Sequence, residues 1–239
     1  MNNTPAPGTQ NTAVLLSGGL DSAVLLAEEA TRGEVQPVYV SVGLAWEAAE
    51  REAVNSLLRA WSHRSELLPL AALSVNMRDV YAATHWAMVG RPPAYDTPDE
   101  DVYLPGRNIV LLGKAGVYCA AAGIGRVVLG TLGHNPFPDA TPAFRAAMAA
   151  ALSLGLAHPL AVDAPYADID KSEVIRRGAT LGVPMELTLS CMSPVTDGAD
   201  AGPALHCGAC SKCRERHDAF VAAGVADPTP YVNRSFVGR

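Results

Sequence analysis

The stretch LLSGGLDSAV, residues 15–24, decides how this sequence is read. An apolar run over 13–16 leads into Gly18 and Gly19. Leu20, Val24 and Leu25 then recur at helical spacing, Glu28 and Glu29 end the pattern, and Gly33 is a plausible stop. The order is therefore strand, tight turn, helix. A turn of this kind sets free backbone N–H groups and the positive end of a helix dipole at the strand's carboxyl edge, where an anion can bind. Gly18 and Gly19 let the backbone come close without a Cβ in the way, and Ser17 and Ser22 add hydroxyls. A Walker A loop would need G-x-x-x-x-G-K-[ST], and no lysine stands here. The plain alternative is a glycine turn with Asp21 as a helix cap.

The same alternation continues downstream. Strands are expected over 36–42, over 66–75 with an interruption at Pro69, over 126–130 and over 159–162. Helices are expected over 46–61, 107–122, 140–155 and 170–181. Alternation at this spacing predicts βαβ units, hence an α/β fold with a Rossmann-like parallel sheet. The proline-rich stretch 76–106 reads as a partly irregular excursion of the kind that covers a substrate. Three units are expected: a disordered lead-in over 1–12, an α/β domain over 13–185, and a cysteine-rich segment and tail over 186–239.

With 239 residues, 49% hydrophobic and 18% charged, the chain can bury a proper core. A net charge of −6 disfavours an extended nucleic-acid partner. No apolar run reaches the ~18 residues of a membrane span. The first residues carry no basic region of a signal peptide, so a cytoplasmic protein is expected. Monomer and homodimer are both left open.

Four of the five cysteines fall in the pattern Cys191-x15-Cys207-x2-Cys210-x2-Cys213. Such clustering in a cytosolic chain argues for metal ligation over disulfides. Four thiolates fill a tetrahedral Zn²⁺ site, which marks it as structural; a redox dithiol or iron–sulfur site is the rival. Lys212, Arg214 and Arg216 lie near enough to offset thiolate charge or to meet a ligand. His206 and His217 flank the set and are read as non-ligands, and Cys119, on an apolar helix, as a packed core residue.

The S-G-G-x-D-S string at 17–22 resembles the pyrophosphate loop of ATP pyrophosphatases, which cleave ATP between the α- and β-phosphates. A loop that grips departing pyrophosphate can rely on amides, hydroxyls and Mg²⁺ instead of a Walker lysine. Asp21 then serves a Mg²⁺ ion or its surroundings. Taken with Pro105-Gly106-Arg107-Asn108, Phe137-Pro138-Asp139, Lys171-Ser172-Glu173 and the four cysteines, the chain resembles the 7-cyano-7-deazaguanine synthase family from residue 13 to about residue 230.

That resemblance implies two adenylation steps, which turn a 7-carboxy-7-deazaguanine and ammonia into a nitrile. It implies ATP on Leu16, Ser17, Gly18, Gly19, Leu20, Asp21, Ser22, Gly106, Arg107 and Asn108. Ser17, Asp21, Arg107 and Lys171 would be catalytic, Phe137 and Asp139 would meet the deazapurine, and Cys191, Cys207, Cys210 and Cys213 would hold Zn²⁺. Each role has a plainer counterpart. Arg107 would hold phosphate or the substrate carboxylate, or be a surface arginine near Asp101. Asp139 would pair with a guanine-like edge, or cap a helix from Ala140. Lys171 would stabilise phosphate charge, or be an exposed residue of a first helical turn.

Two segments depart from the family pattern. Y-G-Q-R-H-x-x-E after the second strand is replaced by Val42-Gly43-Leu44-Ala45-Trp46-Glu47. E-T-D-x-S-G-Y-P-D-C after the fourth becomes Leu132-Gly133-His134-Asn135-Pro136-Phe137-Pro138-Asp139-Ala140. These changes leave room for a ligase that makes an amide on a related deazapurine or another carboxylate. A tRNA thiolase is disfavoured, because only Cys119 lies outside the cluster. A non-catalytic nucleotide-binding module is disfavoured by the intact loop and PGRN motif.

Overall fold

The computed structural model describes residues 11–133, 135–196 and 204–236, the Asp99 side chain excepted. Residues 1–10 of the expected lead-in lie outside the described residues. Thr12 already opens β1 (Thr12–Leu15).

Ala13 and Val14 of β1 face opposite sides of the sheet, and both are fully buried. Each belongs to a different core cluster, because helices cover both faces. β1 is central: it pairs with β2 (Val35–Ser41) on one side and with β4 (Arg126–Val128) on the other, both in parallel. β3 (Ala71–Ser74) and β5 (Ala161–Asp163) form the edges, so the strand order is β3-β2-β1-β4-β5. The expected α/β class and parallel sheet are present. The chain leaves β1 in one direction and returns through β4 in the other, which opens a crevice at the carboxyl ends of these two strands.

α1 (Leu20–Glu29) packs against α6 (Lys171–Thr180), and α6 packs against α7 (Ser211–Ala223). α4 (Arg107–Ala122) and α5 (Pro142–Leu156) pack on each other and against β4 and β5 respectively. α2 (Glu47–Ala60) follows β2, and the four-residue α3 (Trp86–Val89) lies in the 76–106 excursion. Among the described residues, no helix is long and apolar enough to cross a membrane.

Several boundaries differ from the expected ones. The third strand begins its ladder early, with Val35 N donating to Glu66 O and Leu68 N to Val35 O. It breaks at Pro69, which has no N–H, and becomes regular only at Ala71. The helix expected from Ala140 starts later. A 3₁₀ turn at Pro138–Ala140 precedes it, and Thr141 caps it by accepting from Phe144 N, with Pro142 in the first helical position. Asp139 therefore does not cap that helix. α7, inside the cysteine-rich segment, has no counterpart among the expected helices.

Candidate active site

The loop after β1 is knotted by its own serines. Ser22 Oγ donates to Gly19 O at 3.0 Å and accepts from Ser17 N at 3.2 Å, and Gly19 N donates to Ser17 Oγ at 3.3 Å. Gly19 is the N-cap of α1, and no side chain caps the helix there. The first amides of α1 are thus left for an anion, and Asp21 is not their cap. Gly18 has φ +78°, and a Cβ on it would lie 2.9 Å from Glu50 O. Leu189 N donates to Gly18 O at 2.8 Å and holds the loop from the other side. Gly130, just beyond β4, passes so close that its Cβ would lie 3.3 Å from the Asp21 carbonyl carbon.

Lys171 opens α6 behind the cap Asp170, which accepts from Glu173 N at 2.9 Å. Its ammonium reaches across to α1 and α7: Nζ lies 3.0 Å from Asp21 Oδ2 and 2.6 Å from Glu215 Oε1. The side chain is only 11% exposed, so Lys171 is not the exposed first-turn residue that was its plainer reading. Burial works against its charge, but Asp21 and Glu215 override this and hold the ammonium above the usual lysine range. Burial likewise opposes the charge of Glu215, yet Lys171 and Lys212 keep its carboxyl down at about 2. Asp21 Oδ1 is buried with no hydrogen-bond partner.

Arg107 opens α4 behind Gly106, whose φ is +81°. Its guanidinium lines the cavity and is not a surface group; Nε is buried and has no hydrogen-bond partner. Asp139 sits beside it and does cap a helix, though a different one from the helix considered in the sequence. Its Oδ2 accepts from Asn108 N at 3.2 Å in the first turn of α4, and Asn108 Nδ2 donates to Asp139 O. Burial raises the Asp139 carboxyl above its ordinary range, against the pull of the Asn108 donors. Phe137 stacks on Tyr103 with centroids 5.0 Å apart.

These groups meet around one cavity of about 400 Å³ at the carboxyl ends of β1 and β4. Ser17, Gly19, Leu20, Asp21 and Ser22 line it, as do Arg107, Asn108, Phe137, Asp139 and Lys171. Leu16, Gly18 and Gly106 do not line it; they shape the backbone on which its walls stand. The 76–106 excursion adds Trp86, Val102, Tyr103 and Leu104 to the wall. His134, in the altered segment after β4, lies outside the described residues.

The sequence reading missed several lining groups. Trp46, the N-cap of α2, and Glu50, in its first turn, are four residues apart just beyond β2, and their spacing alone could have marked a shared face. Trp86 stacks on Trp46, with centroids 5.7 Å apart and planes 9° apart. Nothing in the sequence singled out Glu215 or Ser190.

The four cysteines do come together, with all Sγ atoms within 4.8 Å of one another, and can hold a metal ion. Backbone amides of Ser193 and Cys207 donate to Cys191 Sγ, and that of Ala209 to Cys207 Sγ. His206 does not join them. Its Nε2 accepts from Ser190 N at 3.1 Å, and burial with the nearby Arg216 charge keeps the ring neutral, down at about 3. His217 turns toward Asp227. Cys119 is fully buried, and burial pushes its thiol up to about 11. The cluster fixes the segment that carries Leu189, Ser190 and Met192, which line the cavity. Arg216, wholly buried, binds the same segment through Thr188 Oγ1 and Ser190 Oγ.

A family model described as queuosine biosynthesis protein QueC matches residues 11–224. The chain belongs to the QueC family. Its relatives include three proteins named 7-cyano-7-deazaguanine synthase. The one from Azoarcus sp. (strain BH72) is 35% identical, over 92% of this chain and 96% of its own length. The one from Anaeromyxobacter sp. (strain Fw109-5) is 34% identical, over 95% and 98%. The one from Methanopyrus kandleri is also 34% identical, over 92% and 98%. QueC membership thus rests on nearly the whole chain, with the loop, the PGRN motif and the cysteine cluster all inside the matched span.

Proposed function

We propose that this protein converts 7-carboxy-7-deazaguanine and ammonia into 7-cyano-7-deazaguanine, using two ATP and releasing two AMP and two pyrophosphates. The observation that carries this reading is one cavity shared by an uncapped helix N-terminus, a buried lysine and an arginine whose Nε has no partner. Relatives of the same length bear the name of that activity.

The chemistry follows from what the walls can do. A substrate carboxylate oxygen attacks the α-phosphorus, and the bond to the pyrophosphate oxygen breaks. Ammonia then adds to the acyl carbon, AMP leaves with the C–O electrons, and an amide remains. The amide oxygen attacks a second α-phosphorus; loss of AMP and of the nitrogen's protons gives the nitrile. At each stage a poor leaving oxygen becomes AMP, so the protein's work is positioning and charge stabilisation. The α1 amides, Ser17 and Ser22 receive the departing pyrophosphate, with Lys171 at its edge. Arg107 holds the phosphate or carboxylate under attack, and Phe137 and Asp139 bound the acceptor end. Asp21, with Oδ1 buried and unpaired, suits the Mg²⁺ that accompanies ATP and neutralises phosphate charge.

We assign Zn²⁺ to the cysteine cluster. A tetrahedron with metal–sulfur bonds of about 2.3 Å has edges of about 3.8 Å, and the Cys191–Cys210, Cys207–Cys213 and Cys210–Cys213 sulfurs are 4.0, 3.9 and 3.5 Å apart. A nucleotide domain over 13–185, a zinc-binding segment over 186–239 and a cytoplasmic location complete the reading.

The test is incubation with ATP, ammonia and 7-carboxy-7-deazaguanine. AMP and the nitrile, which two hydrolyses would return to the acid, are expected. AMP formed only with another acid would move the protein to a different acceptor, and a product that stops at the amide would make it an amide-forming ligase.

A further inference from the structure

Four carboxylates line the cavity, and each accepts hydrogen bonds from the chain. Asp21 and Glu215 share Lys171, and Asp139 accepts the α4 amide of Asn108. Glu50 is different. It is 8% exposed and meets two neutral donors, one per oxygen. Trp46 Nε1 donates to Oε1 at 2.9 Å, and Tyr39 Oη donates to Oε2 at 3.2 Å. Each carboxylate oxygen has a second lone pair, so two acceptor positions remain side by side. A buried carboxylate is costly unless further donors reach it. Arg107 lowers that cost through its charge but makes no hydrogen bond to Glu50.

A paired set of donors fits this fork. The edge of a 2-aminopyrimidin-4-one ring offers two parallel N–H groups, from the ring nitrogen and the exocyclic amine, and a carboxylate takes such a pair in bidentate fashion. We propose that Glu50 reads this edge of the acceptor heterocycle, and that Trp46 is the positioning residue that holds the carboxylate in register. The assignment rests on the function proposed above and names the residue that would enforce its acceptor specificity. Two further features support it. Trp86 stacks on Trp46 and lines the cavity, giving a planar ring an indole surface beside Glu50. The backbone of Glu50 lies directly against Gly18, so the edge reader and the phosphate loop are built on one another.

The test compares 7-carboxy-7-deazaguanine with its analogue lacking the exocyclic 2-amino group, in wild type, Glu50→Gln, Trp46→Phe and Tyr39→Phe. Wild type should prefer the full acceptor by about 100-fold in kcat/KM, because the analogue leaves the remaining lone pair of one buried carboxylate oxygen without a donor. Glu50→Gln should raise the acceptor KM by about 10- to 100-fold and reduce the preference to about threefold, with the ATP KM nearly unchanged. Trp46→Phe and Tyr39→Phe keep the charge and each remove one donor; they should weaken the preference in part. A Glu50→Gln enzyme that loses activity equally on both compounds, with the preference intact, would overturn the inference and leave Glu50 a structural residue. Should Glu50→Gln not fold, an unchanged preference in both of the other variants would overturn it. Wild type that turns over neither compound would instead refute the proposed function. Calorimetric binding of the two compounds would then decide the inference, with equal affinities overturning it.

Discussion

Replacing Lys171 by methionine removes a cation from between two carboxylates while keeping most of the stem's volume. Lys171 Nζ lies 3.0 Å from Asp21 Oδ2 and 2.6 Å from Glu215 Oε1, and the two acidic side chains are 24% and 20% exposed. Glu215 would keep Lys212. Among the described residues Asp21 would keep no ion-pair partner, and its Oδ1 is already unpaired. Breaking a fully buried pair from one side costs about 3–5 kcal/mol, whereas an exposed pair is worth about 0–1. The partial exposure here places Lys171→Met at about 2–3 kcal/mol. In urea denaturation at pH 7 that is a fall in midpoint of about 1 M. Adding Asp21→Asn removes the stranded charge and should return about 1 kcal/mol, a coupling that a double-mutant cycle reads directly. A single-variant loss below about 0.5 kcal/mol, or strict additivity in the double variant, would refute the view that this triad ties α1, α6 and α7 together.

Other consequences are simpler. Gly18→Ala meets both the left-handed backbone and Glu50 O at 2.9 Å, so it should lose about 1–2 kcal/mol in thermal or urea melts and weaken ATP binding. Asp139→Ala removes the acceptor for Asn108 N and should cost about 1 kcal/mol of stability, measured the same way. Cys119→Ser should leave AMP formation intact, since a buried thiol held at about 11 is no nucleophile; loss of turnover in a folded variant would revive the thiolase reading. Metal analysis should find about one zinc per chain, and its removal should lower the melting temperature and weaken ATP binding together, because the cluster anchors the segment whose Leu189 amide holds the loop at Gly18.

Much of the frame was legible in the sequence because it depends on local pattern. Strand, double glycine and helix at 13–29 mark a βα unit by periodicity alone, and the sheet followed from repeating that pattern. The four cysteines were legible because ligand spacing is itself local. What could not be read is what depends on tertiary placement. Lys171 looks like an ordinary first-turn lysine until α1 and α7 bring carboxylates to it. Asp139 reads as the cap of the next helix, yet it caps α4, 31 residues earlier in the chain. Glu50 belongs to a helix face that packs and a cavity wall at once, and only the crevice between β1 and β4 makes it a wall. α7 was hidden because its charged residues serve ion pairs and a buried arginine instead of an apolar stripe, so its helical period is weak.

The proposed role of SGGLDS is to grip pyrophosphate and not a transferred γ-phosphate. It is tested most directly by ³¹P NMR of ATP consumed by the purified enzyme with its acid acceptor and ammonia. AMP and pyrophosphate should form in equal amounts, and neither should form in the Ser17→Ala, Asp21→Ala double variant. ADP and orthophosphate as the products would contradict it.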